Sequence, residues 1–384
     1  MGACTGAWMN ETTGRSRMSK SERTVMLAAG GTGGHLFPAF ALSEELGRRG
    51  VVVDLVTDER GDRYGTGFPA RHTYQVPAAT LAGRSPLAMA KTGLTLARGV
   101  RKALALMGEV RPAVVIGFGG YPTFPPLIAA GMKGIRTAVH EQNAILGRAN
   151  RMLAKRVTAI ATSFEEVRGI DAAVRPKLRF TGNPVRDQVI VASAAAYVAA
   201  GPTDRFRLVV FGGSQGARYF SDTVPPALLQ LPADLRGRLD VIQQARDEDM
   251  QRVQAAYAEA GITANVSPFF KNLPEIMATA HLVIARAGAS SVSEIAVLGR
   301  PAIFVPLPHS LDNDQLYNAT RLAESGGGWC IQQKDLDASR LAGEIEALMR
   351  APERLSAAAI AAKKQGRPDA VARLADLVQE LAGA

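Results

Sequence analysis

The chain has 384 residues, 47% of them hydrophobic and 21% charged, and this length is sufficient for two domains with complete cores. Its two cysteines, Cys4 and Cys330, are too few for a disulfide framework or a zinc cluster and are typical of a reducing cytosol. The formal net charge of +10 favours an anionic partner. The basic residues form no long block and no pattern with aromatic residues, which disfavours nucleic acid as that partner.

The first 22 residues are small and polar and contain no hydrophobic signal core. We predict a disordered extension at 1–22, and Met18 is an alternative first residue. No apolar run in the sequence reaches the length of a membrane span. An anionic lipid surface and a phosphorylated substrate therefore remain open as partners.

The segment from Gly30 to Pro38 lies between an apolar run at 25–29, which predicts a buried strand, and a helical pattern. Pro38 suits the first turn of that helix. Four glycines let the loop approach a ligand, and the amides of a helix N-terminus favour an anion or a developing negative charge. Leu36 occupies the position of the third glycine in a dinucleotide fingerprint, which disfavours a nicotinamide cofactor.

Predicted strands and helices alternate along the rest of the first half, which is typical of parallel sheets covered by helices. In such sheets ligands bind at the carboxyl ends of strands. Two further loops of this kind follow predicted strands, at 117–122 and at 140–143. With the 30–35 loop, they predict a cleft along one edge of the first sheet.

The second half begins with a similar strand and glycine-rich loop, 206–211 and 212–218, after an alanine-rich stretch that we interpret as an interdomain connection. A loop of small residues at 286–294 again precedes a predicted helix, and its amides and serine hydroxyls suit a diphosphate. A carboxylate at Glu294 can accept both hydroxyls of a ribose, although an acid near a helix N-terminus also stabilises the helix dipole. The pattern predicts two similar α/β domains that share a cleft.

The order of these loops resembles the MurG family of glycosyltransferases, and the match covers nearly all of the chain from about Arg23 onward. The matching motifs are GGTGGHLFP at 30–38, GFGGYPTFPP at 117–126, HEQNAILGRANR at 140–151, GNPVR at 182–186, GGSQGAR at 212–218, RAGASSVSE at 286–294 and DQLYNA at 314–319. The resemblance implies an α/β fold of the GT-B type, with two Rossmann-like domains facing a cleft. The implied domains are an N-terminal acceptor and membrane-binding domain at 23–183, a C-terminal UDP-sugar domain at 184–367, and a last helix at about 368–384 that packs back on the first domain.

The resemblance also implies an activity: inverting transfer of N-acetylglucosamine from UDP-N-acetylglucosamine to undecaprenyl-pyrophosphoryl-N-acetylmuramyl-pentapeptide. This step converts lipid I to lipid II in peptidoglycan synthesis and implies no cofactor. The expected location is peripheral, on the cytoplasmic face of the bacterial inner membrane, and other cell-wall synthesis proteins are candidate partners. The alternatives are another UDP-sugar enzyme of the GT-B type, such as an epimerase or a glycolipid synthase, and a nicotinamide-dependent oxidoreductase.

The resemblance assigns binding roles residue by residue. Departures from the family pattern are Phe270, where an aliphatic residue is common, and Asp314, where Gln or His is usual. The family's His-Gln-Ser/Thr-Gly run is replaced by 243–246, which receives no role. The implied contacts are Thr32, Gly33, Gly34 and Asn143 with the donor sugar and acceptor, Arg186 and Ser214 with the diphosphate, the backbone of Phe270 with the uracil, Ala289, Ser290, Ser291, Val292, Ser293 and Glu294 with phosphate and ribose, and Gln315 with the sugar.

Transfer requires a base for the acceptor hydroxyl and stabilisation of the departing UDP. His35 is the leading candidate for the base because histidine titrates near neutral pH, and Glu141 is the second, either as the base or as a residue that orients the site. The acidic run at 312–314 has the spacing of a metal-binding motif but lies beyond its strand, where a helix starts. We interpret it as a cap or a sugar contact and expect no metal at the site.

A membrane-binding surface is predicted on a helix at 86–107, where Lys91, Arg98 and Lys102 fall on one stripe. A solvated basic face is the alternative interpretation. The leucines beside the stripe are Leu87 and Leu94, and the residues predicted to face the core are Met89, Leu96, Val100 and Leu104.

Overall fold

The structure is a computed structural model that describes residues 23–30, 33–58, 67–79, 85–213 and 216–383. The predicted extension at 1–22 and the predicted site residues Thr32 and Ser214 lie outside these ranges. Two parallel sheets, each with helices packed against it, organise the described chain. We call them, with their helices, the N-terminal unit and the C-terminal unit.

The sheet of the N-terminal unit is built on apolar strands with fully buried centres. Its strands in the described chain are β1 (Thr24–Ala28), β2 (Val52–Thr57), β3 (Thr73–Gln75), β4 (Val114–Gly117), β5 (Arg136–Glu141), β6 (Ala159–Thr162) and β7 (Leu178–Phe180). All pairs are parallel, in the order β3-β2-β1-β4-β5-β6-β7. The strand order reverses between β1 and β4, and ligands bind at such switch points in open parallel sheets.

The sheet of the C-terminal unit repeats this arrangement. Its strands in the described chain are β8 (Phe206–Phe211), β9 (Leu239–Gln244), β10 (Thr263–Ser267), β11 (Leu282–Ala285), β12 (Ala302–Phe304) and β13 (Gly328–Cys330). They are parallel, in the order β10-β9-β8-β11-β12-β13. The switch point lies between β8 and β11, so the predicted loops 212–218 and 286–294 leave adjacent strands.

Helices connect the strands and cover the sheets. In the described chain they are α1 (Gly33–Arg48), α2 (Pro86–Val110), α3 (Phe124–Met132), α4 (Arg148–Leu153), α5 (Asp187–Ala192), α6 (Arg218–Leu229), α7 (Ala233–Arg236), α8 (Asp247–Glu259), α9 (Leu273–Ala278), α10 (Ala289–Leu298), α11 (Asp314–Glu324), α12 (Ala338–Met349), α13 (Pro352–Gln365) and α14 (Ala370–Ala382). The stretch that we interpreted as a connection contains α5, whose Val189 is buried in the core of the C-terminal unit.

The last helix, α14, packs on the N-terminal unit. Leu374 and Val378 are fully buried in the core beneath β1 and β4. Arg49 at the end of α1 donates to Asp376 at 2.6 Å and to Gln379 at 2.8 Å. The chain therefore returns to its first unit after completing the second.

The orientation of α2 differs from the prediction. Met89, predicted to face the core, is 55% exposed, and Leu96, Val100 and Leu104 are only partly buried. The close contact is made instead at Gly99, where an added Cβ would lie 2.1 Å from the carbonyl oxygen of Pro77. The helix therefore turns small residues together with Leu106 and Met107 to the core, and leaves the four apolar residues that were predicted to face the core exposed or half-buried. The buried residues of α2 include Thr92, Gly99, Ala103, Leu106 and Met107.

Candidate active site

The N-terminus of α1 lies at the switch point of the first sheet. Gly33, Gly34 and His35 form its first turn, directly beyond the carboxyl end of β1. The backbone is close to its surroundings here, since a Cβ on Gly30 would lie 3.0 Å from Thr57 Oγ1. The first predicted ligand loop therefore stands where the fold favours a ligand.

All three predicted loops of the N-terminal unit meet at His35. Its Nδ1 lies 3.3 Å from Oε1 of Gln142, which belongs to the loop after β5. Gly119 and Gly120, after β4, have φ values of 86° and 73° and pack against the imidazole, so that a Cβ on Gly119 would lie 3.2 Å from Cε1. Side chains at these two glycines would be strained by the positive φ, and one at Gly119 would also crowd the ring.

Burial is the largest influence on His35 and lowers the pKa of its imidazole. Three weaker influences oppose it and raise the pKa: the hydrogen bond with Gln142, the carbonyl of Phe118 and the charge of Asp314, which belongs to the C-terminal unit. The net shift is downward, so His35 is neutral at cytosolic pH and able to accept a proton.

Glu141 is 1% exposed and is surrounded by hydrogen-bond donors. Its Oε1 accepts from the backbone nitrogen and the side-chain amide of Asn143, at 3.0 and 3.3 Å. Its Oε2 accepts from the backbone of Gly147 and from Asn150 Nδ2, both at 2.8 Å. Burial is the largest influence on Glu141 and raises the pKa of its carboxyl group against these bonds. Four donors leave little room for a substrate proton, so this geometry favours an orienting role over that of a base.

Asn318 on α11, which we did not single out, bridges the two units from a fully buried position. Its Oδ1 accepts from the backbone of Ala144 at 2.8 Å, and its Nδ2 donates to Asn143 Oδ1 at 3.0 Å and to the carbonyl of Ala287 at 3.1 Å. The predicted acceptor-side loop and the predicted donor-side loop are thus joined by one amide. In the sequence, the only sign of this role was that Asn318 belongs to the DQLYNA motif, four residues after Asp314.

Arg186 and Glu294, predicted to contact the diphosphate and the ribose, bind each other. The guanidinium donates through Nε and Nη2 to the two carboxylate oxygens at 2.9 and 2.8 Å. Glu294 is 7% exposed, and its partner is the residue that caps α5. A carboxylate has about four acceptor positions, so a bidentate arginine leaves two for other donors.

The start of α10 separates into exposed and buried positions. Residues 289–291 are partly exposed at the carboxyl edge of β11, as a diphosphate site requires. The side chain of Val292 is buried in the core, and the hydroxyl of Ser293 accepts from Asn183 at 3.3 Å. For Val292 only the backbone amide remains for a ligand, whereas the hydroxyl of Ser293 can still donate its proton.

Gln315 and Phe270 lie on loops at the same edge of the second sheet. Oε1 of Gln315 accepts from the backbone of Ala287 at 3.2 Å and of Leu307 at 3.0 Å, so this oxygen fixes two loops. Phe270 follows β10, and its partly buried ring packs against the core.

The acidic run after β12 makes local and cross-unit contacts. Asp312 forms an ion pair with Arg148 of the N-terminal unit at 3.0 Å. Asp314 begins α11 and accepts from the backbone of Gln315 at 2.7 Å, a contact like that of a cap. Within the described ranges, no group of three or more His, Cys, Asp or Glu side chains has an arrangement that could hold a metal ion.

Comparison with known proteins identifies the family. The glycosyltransferase family 28 N-terminal domain matches residues 25–162, and the glycosyltransferase family 28 C-terminal domain matches residues 207–374. The chain is 53% identical over 360 residues to a UDP-N-acetylglucosamine--N-acetylmuramyl-(pentapeptide) pyrophosphoryl-undecaprenol N-acetylglucosamine transferase of Chelativorans sp. (strain BNC1), which covers 94% of this chain and 96% of that protein.

A protein of the same name from Methylobacterium sp. (strain 4-46) is 53% identical over 366 residues, which is 95% of this chain and 98% of that protein. Among solved structures, MurG of Acinetobacter baumannii superposes with a TM-score of 0.78 at 28% identity, covering 93% of this chain and 99% of that one. The predicted GT-B fold class is confirmed by these matches and by the two parallel sheets. Because the match spans both units at this identity, the chain belongs to the MurG family of glycosyltransferase family 28.

Proposed function

We propose that this protein transfers N-acetylglucosamine from UDP-N-acetylglucosamine to the lipid-linked muramyl-pentapeptide acceptor, releasing UDP and converting lipid I to lipid II. One observation carries the proposal: the carboxyl edges of both sheets meet at Asn318, with a neutral histidine on one side and the partly exposed N-terminus of α10 on the other. The high identity to transferases of this name supports the same substrates. An epimerase or a nicotinamide enzyme has no comparable support.

In the proposed mechanism His35 acts as the general base. The ring accepts the proton of the acceptor hydroxyl while that oxygen attacks the anomeric carbon from the side opposite to UDP. The bond from the anomeric carbon to the phosphate oxygen breaks, and the electron pair leaves with UDP, so the configuration inverts. Base catalysis of this kind contributes about 10²–10⁴ in rate.

The C-terminal unit supplies the donor site in this proposal. The amides at the start of α10 stabilise the negative charge that develops on the diphosphate as UDP departs. Glu294 accepts the ribose hydroxyls on the acceptor positions that Arg186 leaves free. Phe270 contributes its backbone to the uracil, and Gln315 contributes its amide nitrogen to the sugar.

Mass spectrometry of the products tests the activity. The purified protein is incubated with UDP-N-acetylglucosamine and a lipid I analogue, and the expected product is the analogue plus one N-acetylhexosamine. Omission of the acceptor is the control, and it should leave the nucleotide sugar unchanged. An epimerised nucleotide sugar without acceptor, or no acceptor product, would contradict the proposal.

We also propose that α2 binds an anionic membrane surface. Lys91, Arg98 and Lys102 are exposed, and no carboxylate among the described residues pairs with them. Leu94 and Met89 are about half exposed on the same helix, so apolar side chains accompany the charges, whereas the side chain of Leu87 lies outside the described part. Basic and apolar groups together suit lipid headgroups with shallow insertion. No helix in the described residues is sufficiently long and apolar to cross a bilayer.

Charge reversal on α2 should release the protein from anionic vesicles. Each basic residue near such a surface contributes about 1 kcal/mol, so Lys91→Glu with Arg98→Glu should weaken binding at least about tenfold. Vesicle sedimentation measures this, and added salt should weaken the wild-type binding as well. The matched control is Lys334→Glu with Arg205→Glu, the same charge change on exposed residues of the C-terminal unit. Equal binding of the wild type to neutral vesicles would count against the proposal.

A further inference from the structure

A chain of hydrogen bonds leads to His35 from the residues that precede the C-terminal unit. It begins at the carbonyl oxygen of Gly182, which lies 3.1 Å from Nε2 of His140. Nδ1 of His140 lies 3.1 Å from Nε2 of Gln142, and Oε1 of Gln142 lies 3.3 Å from Nδ1 of His35. Which atom donates and which accepts in each of these hydrogen bonds determines which nitrogen of His35 carries a proton.

Two carbonyl oxygens fix the orientation of the Gln142 amide. Its Nε2 lies 3.0 Å from the carbonyl oxygen of Phe118 and 3.1 Å from that of His140. Carbonyl oxygens only accept, so the amide nitrogen must face them and Oε1 must face His35. In the reverse orientation, Oε1 of Gln142 would face three other acceptors and none of them would receive a hydrogen bond from it. Gln142 is 2% exposed, and leaving buried polar atoms unpaired is costly.

His140 is consistent with this orientation. Because the carbonyl of Gly182 accepts, Nε2 of His140 must carry the proton. Burial lowers the pKa of His140 to about 4, so the ring is neutral and its Nδ1 is an acceptor. That acceptor faces the amide nitrogen of Gln142, as the two carbonyl oxygens already require.

We propose that Gln142 is a positioning residue that holds His35 in the tautomer with the proton on Nδ1. Oε1 of Gln142 can only accept, so Nδ1 of His35 donates to it, and the lone pair of the neutral ring is on Nε2. His35 is partly exposed, and with Nδ1 donating to Gln142, Nε2 is the nitrogen left to take the proton of an acceptor hydroxyl. The use of this lone pair rests on the proposed base role, whereas the tautomer does not depend on it.

Nitrogen-15 spectra of the histidine rings test the tautomer directly in the full chain. The protein contains five histidines, and the resonances missing from a His35→Ala sample identify those of His35. Above the pKa of His35, we expect a protonated Nδ1 and an unprotonated Nε2 in the wild type. A proton on Nε2 of His35 instead would overturn the proposal without any variant of Gln142.

Gln142→Met keeps the length of the side chain and removes both hydrogen-bonding functions. Both tautomers of His35 should then be populated, and kcat should fall about three- to tenfold, the effect of one neutral hydrogen bond. The KM for UDP-N-acetylglucosamine should stay unchanged, because the donor site is on the other unit. Gln243→Met is the matched control, since Gln243 is a fully buried glutamine in β9, and it should leave both the His35 spectrum and kcat unchanged.

The His35 spectrum and kcat together separate the positioning role of Gln142 from the base role of His35. A His35 spectrum that is unchanged in Gln142→Met overturns the positioning role, even if kcat falls. A changed tautomer with an unchanged kcat upholds the positioning role and contradicts the role of His35 as base.

Discussion

His35→Ala should reduce turnover at least about a hundredfold while the protein folds normally and still binds UDP. The expected loss follows from removal of the proposed base, since base catalysis is worth about 10²–10⁴ in rate, or roughly 3–5 kcal/mol of barrier. UDP affinity should persist because the proposed nucleotide contacts belong to the C-terminal unit. Turnover at saturating acceptor and UDP calorimetry on the same sample measure the two quantities.

His72→Ala is a suitable control for this experiment. His72 is an exposed histidine of the same unit, and its ring contacts Tyr74 rather than the site. Its replacement should leave turnover unchanged. If His35→Ala lowers turnover less than about tenfold, the base is another group, and Glu141 and Asp314 are the next residues to replace.

The pH dependence of the wild type follows from the lowered pKa of His35. Activity should be constant near neutral pH and fall as acid protonates the ring, with a midpoint below the usual value of about 6.5. The titratable groups that face the ring are Asp314, whose charge raises the pKa, and His140, which is neutral over this range. A kcat/KM profile measures the midpoint, and this acid limb should be absent in His35→Ala.

The sequence predicted the central strands of both sheets because these strands are continuous apolar runs bounded by glycine-rich loops. β1 and β11, for example, are buried at every position. The edge strands β3, β7, β10 and β13 were missed, since none of them has more than one buried position. Such strands form because the neighbouring strand offers free backbone groups, and that contribution is not encoded in their own side chains.

The sequence predicted where the loops of the candidate site lie, but not which of their side chains pair with each other. The position of His35 follows from local rules, since a glycine loop between a strand and a helix places the next side chain at the carboxyl edge. The bridge made by Asn318 depends on residues 174 and 175 positions away, and no local pattern predicts it. The predicted orientation of α2 was wrong for a related reason: the close approach of Gly99 to Pro77 is a non-local contact that the helical periodicity of the leucines does not reveal.

The pairing of Arg186 with Glu294 couples two residues of the proposed donor site. The bidentate contact holds the carboxylate in one orientation while leaving positions for two ribose hydroxyls. We therefore expect Arg186 to contribute to nucleotide binding through Glu294, in addition to any direct contact with phosphate. Single replacements at the two positions should then share part of their effect, and a double-mutant cycle on UDP affinity should be non-additive.

Glu294→Ala should weaken UDP binding at least about tenfold. The substitution removes hydrogen bonds to a charged group, worth about 1.5–3 kcal/mol, and each 1.4 kcal/mol is roughly tenfold in affinity. Asp240→Ala is the matched control, because Asp240 pairs with Arg207 at 2.7 Å in the same unit but at the amino ends of β8 and β9, away from the site. That control should bind UDP as the wild type does. Calorimetry with equal affinity for the wild type and Glu294→Ala would remove Glu294 from the donor site, and the serine-rich start of α10 would then have to hold the nucleotide by its diphosphate alone.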